Sequence, residues 1–177
     1  MSVRLVYETH STTLDNEAGI ATGWLPGELS EQGRRQAAEL GERRRDDGIA
    51  AVFCSDLARA VETAEIAFAG CGLPIHFDPR LRECDYGALN GMPVARLEGE
   101  RTAHVDEPWP DGESYLEVVE RTRRFLDELA RGWDGERVCL IAHSANRWAL
   151  QHLLEEEPLE PLVAAPFDWR PGWEFEL

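Results

Sequence analysis

Two short apolar runs, each leading into a histidine, constrain this chain most. Arg4-Leu5-Val6-Tyr7-Glu8 lies just before His10, and Val138-Cys139-Leu140-Ile141-Ala142 lies just before His143. Apolar runs of this length, bounded by polar residues, read as buried parallel strands. In a doubly wound α/β sheet the carboxyl ends of neighbouring strands open onto one crevice, where ligands bind. The two imidazoles can therefore share a site although most of the chain separates them.

A third segment adds a cation. Cys54-Ser55-Asp56-Leu57-Ala58-Arg59-Ala60-Val61-Glu62-Thr63-Ala64 follows the β-like run Ile49-Ala50-Ala51-Val52-Phe53. Ser55 or Asp56 is placed to cap a helix starting near Leu57. Arg59 then falls in the first turn, at the mouth of the same crevice. Cations favour the opposite end of a helix, so this placement itself points to function. A guanidinium beside free backbone N–H groups suits an oxyanion. Two imidazoles and one arginine at strand ends suit phosphoryl chemistry.

These segments resemble the histidine phosphatase superfamily, with its phosphoglycerate mutase-like fold. That family opens with Arg-His-Gly-x-Thr-x-x-Asn after a strand; here Thr9-His10-Ser11-Thr12-Thr13-Leu14-Asp15-Asn16 keeps His10, Thr13 and Asn16 in register. Leu29-Ser30-Glu31-Gln32-Gly33-Arg34-Arg35-Gln36-Ala37 is similar to the family's Leu-Thr-x-x-Gly-x-x-Gln-Ala helix start. Ser55 to Ala64 matches its Arg-bearing motif. Leu81-Arg82-Glu83 with Gly87 and Gly91 matches the segment carrying its acid, and Asp111-Gly112-Glu113-Ser114 its Gly-Glu-Ser helix start. The resemblance runs from about Val3 to about Leu154.

The resemblance implies a role for each matched residue. His10 is the expected nucleophile, since an imidazole nitrogen can carry a phosphoryl group and split one displacement into two. Arg59 would grip two phosphoryl oxygens, and His143 would donate to them as charge builds. Glu83 is the expected general acid, which needs a raised pKa. Glu8 competes for that role, but strand alternation places it opposite Thr9. Asn16 would donate to the phosphate.

The first motif also departs from the family. Thr9 stands where the family has Arg, Ser11 where it has Gly, and Ser144 where Gly usually follows the second histidine. One expected positive charge is missing from the pocket. Thr9, Ser11 and Ser144 can supply neutral donors, and Arg82 and Arg147 are candidate replacements for the charge.

Bulk properties narrow the field. A length of 177 residues suits one domain, expected to span residues 1–177. No apolar run is long enough to span a bilayer, and no secretory signal is visible, so a cytoplasmic location is expected. The net charge of −16 argues against nucleic acid or anionic membranes as partners. All 18 basic residues are Arg, which excludes a Walker-type phosphate lysine. Cys54, Cys71, Cys84 and Cys139 show no metal-ligand spacing and read as reduced core thiols. His76, His104 and His152 likewise have no such spacing, and neither metal nor cofactor is expected.

Helical periodicity covers about residues 30–46, 57–68, 114–131 and 145–154; strands fit about 3–8, 51–54, 74–77 and 137–141. This alternation predicts a layered α/β fold with a mostly parallel sheet, and the resemblance makes it a three-layer α/β/α fold. Ser114 and Glu117 form a capping-box pattern. The Gly- and Pro-rich stretch at about 85–112 reads as a partly helical lid, with Tyr86 and Trp109 as candidate pocket liners. The tail from Pro158 is expected to pack across the domain edge.

The expectation is a metal-independent phosphomonoesterase working through a phosphohistidine on a small phosphorylated metabolite. The alternatives are a phosphoglycerate mutase-type phosphotransferase and a non-catalytic phosphate-binding module on the same fold. The sequence leaves substrate and oligomeric state open.

Overall fold

The computed structural model describes residues 2–177. The chain begins with β1 (Arg4–Thr9), α1 (Leu14–Glu17), β2 (Ile20–Ala21) and α2 (Glu31–Arg44). It continues through β3 (Ala51–Cys54), α3 (Ala58–Ala67), β4 (Ile75–Phe77), β5 (Met92–Pro93) and α4 (Val94–Glu100). It ends with α5 (Tyr115–Gly132), β6 (Arg137–Ala142), α6 (Ser144–Leu154), α7 (Leu159–Ala164) and β7 (Trp173–Glu176).

The main sheet has the order β4-β3-β6-β1-β7. The first four strands run parallel and β7 runs antiparallel along β1. Alternating side chains feed two cores. Leu5, Tyr7, Val138 and Leu140 meet Phe125, Leu126 and Leu129 of α5 and Leu150 of α6. Val6, Val52, Cys139 and Ile141 meet Leu40 of α2 and Ala60, Ala64 and Ala67 of α3. Helices thus cover both faces, giving the expected α/β/α layers. The parallel strands read as near-continuous apolar runs because both their faces are buried. α2 and α3 pack closely through Gly41, where a Cβ would stand 2.1 Å from the Ala67 carbonyl oxygen.

Side-chain caps set the starts of α1, α2 and α5. Ser30 accepts from the Gly33 N–H at the start of α2. Ser114 and Glu117 form the expected reciprocal capping box before α5. At α3 the expectation fails: neither Ser55 nor Asp56 is the cap. The N-cap is Leu57, with no side-chain cap bond. Ser55 Oγ accepts from Leu57 N–H instead, and the Asp56 carboxylate is committed to Arg82 at 2.6 and 2.7 Å.

The stretch at 85–112 folds into a 3-10 turn (Gly87–Leu89), β5, α4 and a second 3-10 turn (Arg101–His104). β5 pairs antiparallel with β2. Trp109 is only 1% exposed and lies under the His104 ring, 3.7 Å between centroids. It anchors the stretch and does not line the pocket, contrary to expectation. The tail packs at the sheet edge as expected, through β7.

Three of the cysteines are buried thiols; Cys71 is exposed, which corrects the expectation of four core thiols. Burial pushes the Cys54 thiol up to about 12. Among the described residues, no helix is long and apolar enough to cross a membrane.

Candidate active site

The parallel pairing of β1 with β6 puts Thr9 beside Ala142. His10 and His143 therefore leave the sheet side by side. The His10 backbone N–H donates to the Ala142 carbonyl at 3.0 Å, and the two ring centroids lie 5.0 Å apart. The Tyr7 hydroxyl donates to the His143 carbonyl at 2.5 Å, and the His143 N–H donates to Asn146 Oδ1 at 3.1 Å. These bonds fix the backbone from which both imidazoles project.

His10 Nδ1 lies 2.8 Å from the Ser11 carbonyl oxygen. A carbonyl only accepts, so Nδ1 carries the proton and the Nε2 lone pair is free. Burial, then the Arg59 charge, lowers the His10 pKa to about 3, against the opposing Ser11 bond. The ring is neutral at neutral pH, as a nucleophile must be. His143 is fully buried, and burial, with the Arg59 charge, also keeps it neutral. Neither of its ring nitrogens has a hydrogen-bond partner among the described residues. A buried imidazole without partners is costly, and an incoming acceptor relieves it.

Arg59 is only 3% exposed. Its Nη2 donates to the Gly23 carbonyl at 2.8 Å, and no carboxylate pairs with it among the described residues. Gly23 holds φ +56°, and a Cβ there would stand 1.9 Å from Asn90 Oδ1. Only glycine can present its carbonyl to Arg59 in that space. Burial lowers the Arg59 pKa from its usual value. A buried cation without a counter-ion is unfavourable until an anion arrives.

Glu83 closes the group. Its Oε1 accepts from Cys84 N–H at 2.8 Å and from Ala145 N–H at 3.3 Å. Burial raises its pKa, against these bonds and the Arg59 charge. The Glu83 carbonyl is held by Trp24 Nε1 at 2.7 Å and Arg121 Nη2 at 2.9 Å. Arg121 also grips Glu113 Oε1 at 2.9 Å, and Glu113 Oε2 accepts from Asp85 N–H.

His10, Arg59, Glu83, Thr9, Ser11, Asn16 and Ser144 all line one cavity of about 530 Å³. His143 lies behind it, in ring contact with His10. Asn16 Oδ1 accepts from Thr13 N–H in a capping box, which turns its amide nitrogen free for a ligand. The Ser11 N–H is taken by Thr63 Oγ1 at 3.0 Å, and that hydroxyl donates to the Arg59 carbonyl at 2.7 Å.

Arg82 and Arg147 do not join the site. Arg82 forks onto Asp56 and covers the Trp24 ring at 4.6 Å. Arg147 donates to the Asp168 carbonyl and lies over the Trp173 ring. Neither lines the cavity, so neither fills the place of the missing motif arginine. Glu8 is clasped by Arg43 and Arg44 at 3.2 and 2.8 Å, which removes it from the acid role. Thr63, Trp24 and Arg121 were not foreseen as supporting residues. Thr63 had a signal, four positions past Arg59 on one helix face; Trp24 and Arg121 had none.

The model of the histidine phosphatase superfamily, branch 1, matches residues 9–167. The chain belongs to that superfamily. Among curated relatives, a probable phosphoglycerate mutase GpmB from Erwinia tasmaniensis is 37% identical over 142 residues, covering 76% of this chain and 66% of the relative. The chain thus spans just under two thirds of that relative's length. Among solved structures, a mycobacterial glucosyl-3-phosphoglycerate phosphatase is 32% identical with a TM-score of 0.80, over 92% of this chain and 87% of the other. The alpha-ribazole phosphatase from Shigella flexneri is 26% identical with a TM-score of 0.78, over 90% and 83%. Relatives of this histidine phosphatase superfamily member are thus phosphatases and probable mutases, and the superfamily acts on small phosphorylated substrates.

Proposed function

We propose that the protein is a phosphomonoesterase that works through a phosphohistidine on His10. The observation that carries this reading is the free Nε2 of a neutral His10 beside an Arg59 that has no carboxylate partner among the described residues. In the first step Nε2 attacks phosphorus and the bond to the leaving oxygen breaks. Glu83, whose pKa burial raises, gives that oxygen its proton. Arg59 and His143 donate to the non-bridging oxygens, where charge builds. In the second step water attacks phosphorus, the P–N bond breaks, and Glu83 takes the proton from water. Each group is then restored. No step calls for a metal, and the formation of the intermediate needs only the cavity residues His10, Arg59 and Glu83 with the adjoining His143.

The solved relatives that are phosphatases favour hydrolysis. The curated mutase relatives support a second reading, transfer between two hydroxyls of one substrate. Phosphate release from a panel of small phosphomonoesters, with chelator present and His10→Ala as control, tests the proposal. Release that vanishes in the variant, with an acid-labile phosphoenzyme in the wild type, supports it. Interconversion of 3- and 2-phosphoglycerate without release favours the mutase. Binding without either reaction overturns catalysis.

A further inference from the structure

Phe167 and Trp169 are 56% and 58% exposed, yet both line the same cavity as His10. Large rings in water are worth explaining when they border a polar site, since each can bury on the order of 150–250 Å² against a ligand. The segment that carries them is held from three sides. Arg101 Nη2 donates to the Ala165 carbonyl at 2.6 Å. Arg147 Nη1, from α6, donates to the Asp168 carbonyl at 3.2 Å. The Arg43 guanidinium, from α2, stands 6.0 Å from the centre of the Trp169 ring. An otherwise irregular stretch between α7 and β7 is thereby fastened against the cavity.

The remaining lining indicates the kind of group that fits beside these rings. Val94 and Leu97 of α4 add apolar surface, and Trp148 adds a further ring. Glu39 and Glu98 add carboxylates. The Arg43 guanidinium donates to Glu8, and Arg101 to main-chain carbonyls. A second anionic group on the substrate would meet those two carboxylates, with Arg43 already paired to Glu8 and, of these two guanidiniums, only Arg101 left without a carboxylate among the described residues. A flat uncharged group would bury apolar area on both sides.

We propose that Phe167 and Trp169 form a ring-binding wall of the pocket, and that the phosphoester accepted there carries a flat, ring-bearing leaving group with no second negative charge. The proposal rests on the phosphoesterase reading of His10.

The test compares kcat/KM for benzyl phosphate, ethyl phosphate and 4-carboxybenzyl phosphate, all esters of primary alcohols. Benzyl phosphate is expected to exceed ethyl phosphate by about tenfold or more, and the added carboxylate to lower the value. Trp169→Ala should shrink the benzyl-to-ethyl ratio about fivefold, whereas Trp169→Phe keeps most of it. A ratio near one in the wild type, an unchanged ratio in Trp169→Ala, or a gain from the carboxylate overturns the proposal. If no phosphate is released from any ester, the reading of His10 fails by itself. Calorimetry with benzylphosphonate and methylphosphonate then decides the wall: a benzyl preference lost in Trp169→Ala sustains it, and equal affinities overturn it.

Discussion

Arg59 gives its Nη2 hydrogen bond to the carbonyl of Gly23, 2.8 Å away, and to no carboxylate among the described residues. A neutral oxygen solvates the guanidinium but leaves its charge uncompensated. The site thus offers a buried guanidinium charge to an anionic ligand. Burial first, and then the same cation, keeps both histidines neutral.

Replacing Arg59 should therefore separate stability from function. Arg59→Met removes an uncompensated buried charge and keeps the side-chain volume, so the unliganded protein should melt a few degrees higher. Its kcat/KM should fall at least tenfold to a hundredfold, the value of a lost charge-assisted hydrogen bond. Thermal shifts with and without phosphate check both parts. The wild type should be stabilised by phosphate and the variant should not.

Glu83→Gln should reveal the acid by its dependence on the leaving group. For an alkyl phosphate, whose oxygen must be protonated to depart, turnover should fall about a hundredfold or more. For 4-nitrophenyl phosphate, which departs as a stable anion, the fall should be much smaller. Equal losses on both esters would assign Glu83 a structural role. In the wild type, kcat for the alkyl ester should decline as pH rises through the raised Glu83 pKa.

His10 gives a stability signature in acid. Its folded pKa of about 3 lies below the ordinary 6.5, so the unfolded chain binds the proton first. Stability should fall as pH drops from about 6.5 towards 3. In His10→Asn this contribution disappears. The difference in unfolding free energy, wild type minus variant, should shrink between pH 7 and pH 5, as read by urea denaturation.

Thr9→Arg should raise kcat/KM for a generic phosphoester about tenfold, since one charge-assisted contact is restored. Thr9 lines the cavity, and Arg82 and Arg147 are both engaged elsewhere. No gain would show that the Thr9, Ser11 and Ser144 hydroxyls already serve the phosphoryl group.

The sheet and the cluster of side chains at its strand ends were readable because they obey short-range rules. Apolar runs gave β1, β3 and β6, and the motif residues gave His10, Arg59, Glu83 and His143. The supporting contacts were not readable. Trp24 reaches the Glu83 carbonyl, and Arg121 reaches the same oxygen, only through tertiary packing. The β2–β5 pair is two residues long and carries no periodicity. Asp56 matched a capping pattern locally, but a bidentate arginine far along the chain outcompeted the helix for it. Arg82 and Arg147 show the same limit: a cation near a motif can be claimed by a carboxylate or a carbonyl that the motif does not contain.

The position of β1 has a kinetic consequence. The strand that leads to His10 lies between β6 and β7, and its register joins Arg4 to Arg137 on one side and to Glu176 on the other. Both pairings close loops spanning most of the polypeptide, so they are entropically late events. Until then the strand preceding His10 has two bare edges, and no N-terminal fragment that ends before β6 can bring the two imidazoles together. The approach of the His10 and His143 rings should therefore appear in refolding as a single late step, together with burial of the sheet.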